Sequence, residues 1–405
     1  MDDESRRGLG RNRDFLLLQA GQLLSSAGSS VSSVAYPLLV LSLTHSAPKA
    51  GLVAFARLLP SPLLGLLAGG AADRWNRRTI MLAADVARAA ALALVALVVA
   101  FDAAYWPIPL LAFVEGAGDT FFGASSLGAA RAVVPAAELP TAVSIQEARS
   151  ATVGIAGPPV GGALFGVGRA VPFATDAVSY AFSFVSLLAM RTPFQQPREH
   201  HAVRLRAQLA EGFRFLWSQP FLRSTALLYA VGNFTIPAFL FVLVVVTRRH
   251  GLSGGEIGGL LALFSAFVLL GSVLSGVVRR RLSVRAIVLT ELYAGAAVLA
   301  YVVWPNVYVL AAALLPQAVV LPITDSVVVA HRIAMTPDRL LGRVEAVRTT
   351  LARTAQPLGP LAAGLLLGSL SGRATVAVFA GFTVALAVGG TASRGLRTPP
   401  VLAEF

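Results

Sequence analysis

Twelve runs of about twenty apolar residues follow one another along this chain of 405, separated by short polar stretches, and that alternation limits the fold more than any single motif. A run of that length crosses a bilayer as one helix, the form in which a single segment satisfies all its own backbone groups. The runs lie near 15–40, 50–72, 79–101, 107–130, 142–166 and 170–190, then near 221–246, 254–278, 285–304, 307–330, 345–369 and 373–392. Hydrophobic residues make up 56% of the chain and charged ones 13%, too little charge to clothe a soluble protein of this size, where roughly a quarter is usual. The first run follows Arg13 and Asp14 without a small-residue cleavage site and is expected to stay as a helix. An all-α membrane protein with twelve transmembrane helices is the expected fold class.

The charge balance is strongly basic, at +13, which in another chain would suggest nucleic acid. Here the basic residues come as short clusters between apolar runs, with no continuous basic face, so nucleic acid is not an expected partner. Counted loop by loop, 23 Arg fall on one side of the membrane, among them Arg74, Arg77, Arg78, Arg191, Arg198, Arg204, Arg279, Arg280 and Arg281, against 5 basic residues on the other. The basic side is the cytoplasmic side. Both termini are therefore expected in the cytoplasm of a multi-pass cell-membrane protein. Residues 191–220 form the longest polar stretch and separate an amino-terminal bundle, 1–190, from a carboxy-terminal one, 221–405. Within that linker Leu205, Leu209, Phe213 and Leu216 recur at helical spacing, with Arg204, Arg206, Glu211 and Arg214 elsewhere on the wheel. The pattern predicts an amphipathic helix along the membrane surface.

The halves repeat. Pro135, Leu139, Gly157, Pro158 and Gly162 match Pro337, Leu341, Gly359, Pro360 and Gly364 at one offset of 202 residues. Five matches at one register argue for duplication, and two pseudo-symmetric six-helix bundles around a midplane cavity are what such a repeat implies.

Two motifs carry more specific content. Between the second and third runs stands Gly69-Gly70-Ala71-Ala72-Asp73-Arg74-Trp75-Asn76-Arg77-Arg78. The glycines are expected to let a neighbouring backbone approach, Asp73 to serve a helix N-terminus, and the arginines to hold this loop inside. In the fifth run, Gly154-Ile155-Ala156-Gly157-Pro158-Pro159-Val160-Gly161-Gly162 places Gly-Pro inside a helix, where it removes a backbone bond and kinks the segment. The first motif resembles the loop between helices 2 and 3 of the major facilitator superfamily, with Gly69, Asp73, Arg74, Arg77 and Arg78 on its pattern. The second resembles the Gly-Pro-x-x-Gly-Gly signature that accompanies export by antiport in that superfamily, matched by Gly157, Pro158, Gly161 and Gly162. Arg57-Leu58-Leu59-Pro60, Pro135 to Pro140, Phe213 to Trp217 and Leu340 to Val344 look like the bacterial branch of enterobactin-type and macrolide-type exporters.

Ionisable residues inside the apolar runs are costly unless partnered and so point to function. Glu115 and Asp119 lie one turn apart on one face of the fourth run. At about 1.5 Å of rise per residue, Glu115 sits about 12 Å in from the outer end and Asp119 near the midplane. Arg57 of the second run reaches a similar depth to Glu115. A pair between Arg57 and Glu115 would leave Asp119 free to take up a proton and couple its entry to substrate exit. A closed structural network of all three is the alternative.

A second group, Asp85, Arg88, Glu147, Arg149, Asp325, Arg348 and Arg353, falls in the cytoplasmic third of its runs and reads as an inner gate; Glu147, Arg149, Asp325, Arg348 and Arg353 are its central members. Snorkelling to the interface explains any one of these arginines equally well. Gln19, Gln22, Ser26, Ser29, Ser33 and Tyr36 form a polar stripe on the first run. The superfamily lines its cavity with helices 1, 4, 7 and 10, and the resemblance adds Phe122, Tyr229, Asn233, Phe234, Gln317 and Thr324 as wall candidates. Aromatics, amides and few fixed charges suit a bulky amphipathic organic molecule.

No phosphate-binding loop, zinc-protease motif or nucleophile elbow occurs, so the chain is not expected to be an enzyme. The absence of cysteine excludes disulfides and thiolate metal sites, His200-His201 reads as solvated, and no cofactor or metal is implied. The expected function is secondary active export of a drug, siderophore or secondary metabolite by proton antiport, as a monomer with the lipid bilayer, the substrate and protons as partners. A nutrient importer and a non-transporting membrane sensor or scaffold remain open alternatives.

Overall fold

In a computed structural model of the chain, residues 9–101, 104–194 and 205–397 are described. Arg6, Arg7, Arg198, His200, His201 and Arg204, together with the side chains of Leu205 and Arg206, lie outside the described residues. The described part is helical. The first helices are α1 (Arg13–Thr44), α2 (Ala47–Leu58), α3 (Pro60–Arg74), α4 (Arg77–Ala100), α5 (Pro107–Val133), α6 (Leu139–Val167) and α7 (Val171–Ala189). There follow α8 (Leu205–Ser218), α9 (Pro220–Arg249), α10 (Gly254–Arg281), α11 (Val284–Gly295), α12 (Leu299–Val303), α13 (Val307–Met335), α14 (Asp338–Ala355), α15 (Leu358–Ser369), α16 (Gly372–Ala392) and the short α17 (Arg394–Arg397).

Each of the twelve apolar runs is helical, and ten spans among the described residues are long and apolar enough to cross a membrane. The second run is divided at Leu59, where Pro60 begins α3; proline at the first helical position is tolerated because that N–H has no partner to lose. The ninth is divided by a 3-10 turn at Ala296–Val298. The eleventh differs most. Its helix starts at Asp338, well before residue 345, and stops before Pro357, so that α14 and α15 share the span. Arg339, Arg343, Glu345, Arg348 and Arg353 make α14 a two-faced helix with an apolar side of Leu340, Val344 and Val347 turned inward.

Two compact units result. One takes in α1 to α7 with Gly251–Ala262, the other α8, α9 and the chain from Leu263 onward. In the first unit α1 packs against α6 and α7, and α4 against α5 and α7. In the second, α9 packs against α14 and α15, and α11 against α13 and α16.

Small residues decide where backbones meet. A Cβ on Gly161 would lie 2.6 Å from the Val31 carbonyl oxygen and 2.9 Å from its Cα, and one on Gly157 would run into Ser30, so α6 presses its backbone on α1. The duplicated position behaves alike in its own unit: a Cβ on Gly359 of α15 would run into the Phe234 carbonyl and lie 3.2 Å from the Ala238 nitrogen of α9. Gly162 meets Gly254 at the start of α10 in the same backbone-to-backbone manner. Through this region α6 stays helical, with Pro158 and Pro159 inside it.

The close approach expected at Gly69 and Gly70 is absent, since a Cβ at either would meet nothing within 4 Å. Nor is Asp73 the cap of the following helix. Asn76 caps α4, its side chain accepting from the Arg78 and Thr79 nitrogens at 2.9 and 3.4 Å, while Asp73 lies 3.7 Å from Arg77. The linker helix also turns differently from expectation. Leu216 is buried in the second unit's core and Leu209 packs against it, whereas Phe213 is exposed and stacks on Trp217 at 5.1 Å. Glu211 binds α8 to α14 by accepting from Arg339 at 3.3 Å and from Arg343.

Candidate functional site

Two clusters of polar groups stand inside the helical units. The first is an ionic network built by α1, α2, α4, α5 and α7. Gly116 and Gly118 permit it: a Cβ on Gly116 would strike the Arg57 carbonyl, and one on Gly118 would lie 2.6 Å from Arg88 Cγ. With no side chain at either position, α5 settles against the two arginines and brings Glu115 and Asp119 beside them. Arg57 donates to Glu115 through both arms, Nε to Oε2 at 2.6 Å and Nη2 to Oε1 at 3.0 Å. That forked geometry is the strongest form of an arginine–carboxylate pair. Glu115 is 1% exposed and also accepts from Tyr180 Oη at 3.5 Å; Tyr180 in turn shares a hydrogen bond of 2.9 Å with Ser29 Oγ.

Asp119 is not in the same condition. Arg88 Nη1 stands 3.5 Å from Asp119, whose side chain is 70% exposed. Arg88 itself is buried, held by Asp85 and flanked by the rings of Phe122 and Tyr180 at 4.3 and 4.2 Å. Asp85 accepts from Ser183 Oγ at 2.8 Å. Asp85 and Arg88 therefore belong to this buried network.

The arginines of the loop before α4 have partners of their own. Arg78 donates to the carbonyls of Leu187 and Leu188, at 2.9 Å each, and to that of Met190, meeting the unpaired acceptors at the end of α7. Arg77 donates to the Ala72 carbonyl at 3.1 Å and to that of Phe194 at 3.4 Å, and Arg74 is exposed. Of the remaining gate candidates, Arg149, Asp325 and Arg348 find partners inside their own units. Arg149 donates to Gln19 and Gln22 of α1, at 2.8 and 2.7 Å. Glu147 is exposed. Asp325 accepts from Tyr229, Arg348 pairs with Glu345 at 2.6 Å, and Arg353 is exposed at the edge of a cavity.

That cavity is the second cluster. It lies within the second unit, between α9, α11, α13, α14 and α16, and has a volume of about 860 Å³. Leu228, Ile236, Leu240, Leu292 and Leu321 supply apolar wall. Of the residues expected to line a substrate chamber, Tyr229, Asn233, Gln317 and Thr324 do face it, with Glu291, Asp325, Glu345 and Arg348. Others on that roster stand elsewhere. Tyr36 is buried with its ring 5.0 Å from Phe173, Phe122 lies under Arg88, and Phe234 meets Phe379 and Phe382 of α16. Ser29 Oγ and Ser33 Oγ donate back to carbonyls of α1, at 2.7 Å each, and Ser26 is half-buried.

Sequence reasoning missed Asp176, Glu291, Glu345 and Arg332. Asp176 and Glu291 carry the same signal that singled out Glu115, an acid within an apolar run. Glu345 holds both Arg348 and Arg332, the latter at 2.8 Å. Among the described residues no group of three or more His, Cys, Asp or Glu is arranged to hold a metal ion.

A membrane-spanning helical scaffold with a chamber of about 860 Å³ and buried ion pairs is the build of a solute transporter. The profile of the Major Facilitator Superfamily matches residues 19–289, and the chain belongs to that family of membrane transporters. It is 30% identical over 381 residues to the multidrug efflux pump Tap of Mycolicibacterium fortuitum, covering 89% of this chain and 91% of that one. With Tap of Mycobacterium tuberculosis it shares 30% identity over 387 residues, 91% of this chain and 90% of the other. Among solved structures, a mutant of the nucleoside transporter NupG superposes with a TM-score of 0.77 at 12% identity, over 95% of this chain and all of that one (100%). That likeness concerns the fold.

Proposed function

We propose that this protein exports small amphipathic organic molecules, such as a drug, a siderophore or a secondary metabolite, across the cytoplasmic membrane. The observation that carries the proposal is the cavity of about 860 Å³, whose wall combines apolar side chains with Tyr229, Asn233, Gln317 and Thr324 and with the charged Glu291, Asp325, Glu345 and Arg348, in a chain whose full-length relatives are named multidrug efflux pumps. A chamber of that size and mixed character suits a drug-sized ligand held by shape and a few hydrogen bonds. The glycines of α6 favour export over uptake of a nutrient by their likeness to the antiporter signature. A sensor or scaffold has little use for buried carboxylates, which cost stability unless a function retains them.

Energy comes from proton antiport with alternating access, both termini in the cytoplasm and the chain acting as a monomer in the bilayer. The Arg57–Glu115 pair neutralises both of its members, and Asp119, exposed beside Arg88, is the carboxylate that takes up the proton. The test is a susceptibility screen across chemically distinct toxins in an efflux-deficient host, with and without the protein, followed by flux in vesicles under an imposed proton gradient. Equal susceptibility throughout the screen overturns export, and undiminished gradient-driven flux in Asp119→Asn removes Asp119 from coupling.

A further inference from the structure

The ionic network of the first unit contains a group that no pairing above accounts for. Asp176 of α7 is 0% exposed. One carboxylate oxygen accepts from Ser179 Oγ at 3.1 Å and rests against Gly28 of α1, where a Cβ would collide with it; the other is buried with no hydrogen-bond partner. No cation stands within ion-pair distance of it among the described residues. The buried acids of this unit's network are Asp85, Glu115 and Asp176, at 0%, 1% and 0% exposure, and the cations that face them are Arg57 and Arg88. Three carboxylates against two guanidiniums leave one negative charge too many, in a place where an unpaired charge costs several kcal/mol. Asp119, with its side chain 70% exposed, lies outside this buried count.

We infer that Asp176 is a proton-binding site, holding one proton that it shares with Glu115 as Arg57 passes between the two carboxylates. In one arrangement Asp176 is the acid and Arg57 is forked on Glu115, as seen. In the other the proton has moved to Glu115, leaving Asp176 as the carboxylate paired with Arg57. Both arrangements contain one proton, one guanidinium and one carboxylate, so the cell stays neutral while the proton moves. Glu115 can then release it toward the open side of the network. Asp85 cannot substitute for either acid, since Arg88 and Ser183 already occupy its two oxygens.

The groups facing Asp176 are known from every packed element. From α1 come Ser32 and Tyr36; from α2, Arg57; from α5, Glu115; from α7, Ser179 and Tyr180; and α4 contributes the Asp85–Arg88 pair behind Tyr180. Helix α6 carries no charged residue after Arg149. Arg57 is thus the cation available to Asp176. The chain of hydroxyls from Ser29 Oγ to Tyr180 Oη to Glu115, at 2.9 and 3.5 Å, lies beside the route. The use made of this proton rests on the antiport reading; its presence does not.

Infrared spectroscopy of the full chain in lipid reads the proton directly, through the C=O stretch of an un-ionised carboxyl group and its shift in D2O. The wild-type-minus-Asp176→Asn difference is expected to contain this band at neutral pH, whereas the wild-type-minus-Asp119→Asn difference is expected to lack it. Asp176→Glu is expected to keep the band at a displaced frequency, which preserves the test if the asparagine variant does not fold. A wild type without the band, or an Asp176→Asn protein that retains it in full, overturns the inference. Dye extrusion is measured in parallel with ethidium. If the wild type extrudes no ethidium or other toxin while the band is present, export fails and the proton site stands; if extrusion is proton-driven and the band is absent, the reverse holds.

Discussion

Arg78, at the start of α4, closes the far end of α7: its Nε donates to the Leu187 carbonyl at 2.9 Å across 109 residues of sequence. The last carbonyls of a helix have no intrahelical donor, and a guanidinium there supplies both hydrogen bonds and a charge of the favourable sign. This arginine therefore does more than add to the basic charge of its loop. Arg78→Ala is expected to lower stability by about 2–3 kcal/mol, the scale of losing charge-assisted hydrogen bonds. Arg78→Lys recovers part of that loss, because an ammonium cannot span several carbonyls as the fork does. Denaturation of the purified protein in micelles measures both; equal stability of all three forms would refute the assignment.

The glycines of the two motifs are expected to respond in opposite directions. Gly161→Val forces a side chain into the 2.6 Å gap to the Val31 carbonyl and should cost about 1–3 kcal/mol or more, as overpacking does, with loss of transport. Gly69→Ala meets open space and should leave stability unchanged or raise it by up to about 1 kcal/mol, the helix propensity difference. Melting curves of the two variants decide the matter.

That contrast shows what the sequence could and could not carry. The spans were legible because length and apolarity are properties of a single segment. The divisions at Leu59 and before Pro357 follow from prolines that were in plain view but lay inside otherwise continuous runs. Which glycine touches a neighbour is a different matter: Gly161 and Gly69 look alike in sequence, and only the packing of α1 on α6 separates them. Depth along a helix placed Asp85 and Arg88 near the cytoplasm, yet their roles follow from Gly118, which lets α5 reach them. The Arg57–Glu115 pair could be anticipated from matched depth. Asp176 and Glu291 carried the same signal, an acid within an apolar run, but each stands without a second acid one turn away on its helix, as Glu115 has in Asp119.

The forked pair between Arg57 and Glu115 supports a double-mutant cycle. Arg57→Leu leaves Glu115 enclosed without its cation, at an expected cost of about 3–5 kcal/mol, whereas Glu115→Leu is expected to cost less, because Asp176 can supply a carboxylate to Arg57. The double variant is expected to regain most of that loss, because two apolar side chains replace two opposite charges. Stabilities of the four proteins provide the measurement, and additive single effects would show that the pair contributes nothing beyond its parts.

Gly232 offers a way to test the chamber without disturbing the helices around it. It lies on the wall of the cavity, and a Cβ built on it meets nothing within 4 Å. Gly232→Ala should therefore transport normally and be as stable as the wild type or slightly more so. Gly232→Phe should fold equally well, since the ring enters open space, but occupy the volume a ligand needs. Its expected signature is a melting temperature within a few degrees of the wild type together with loss of toxin extrusion, most severe for the largest substrates. Because α9 carries Tyr229 and Asn233 on the same stretch, a smaller residue such as Ser at 232 serves as a control for polarity. Efflux that is unaffected by the phenylalanine, for substrates of every size, would show that cargo does not pass through this cavity.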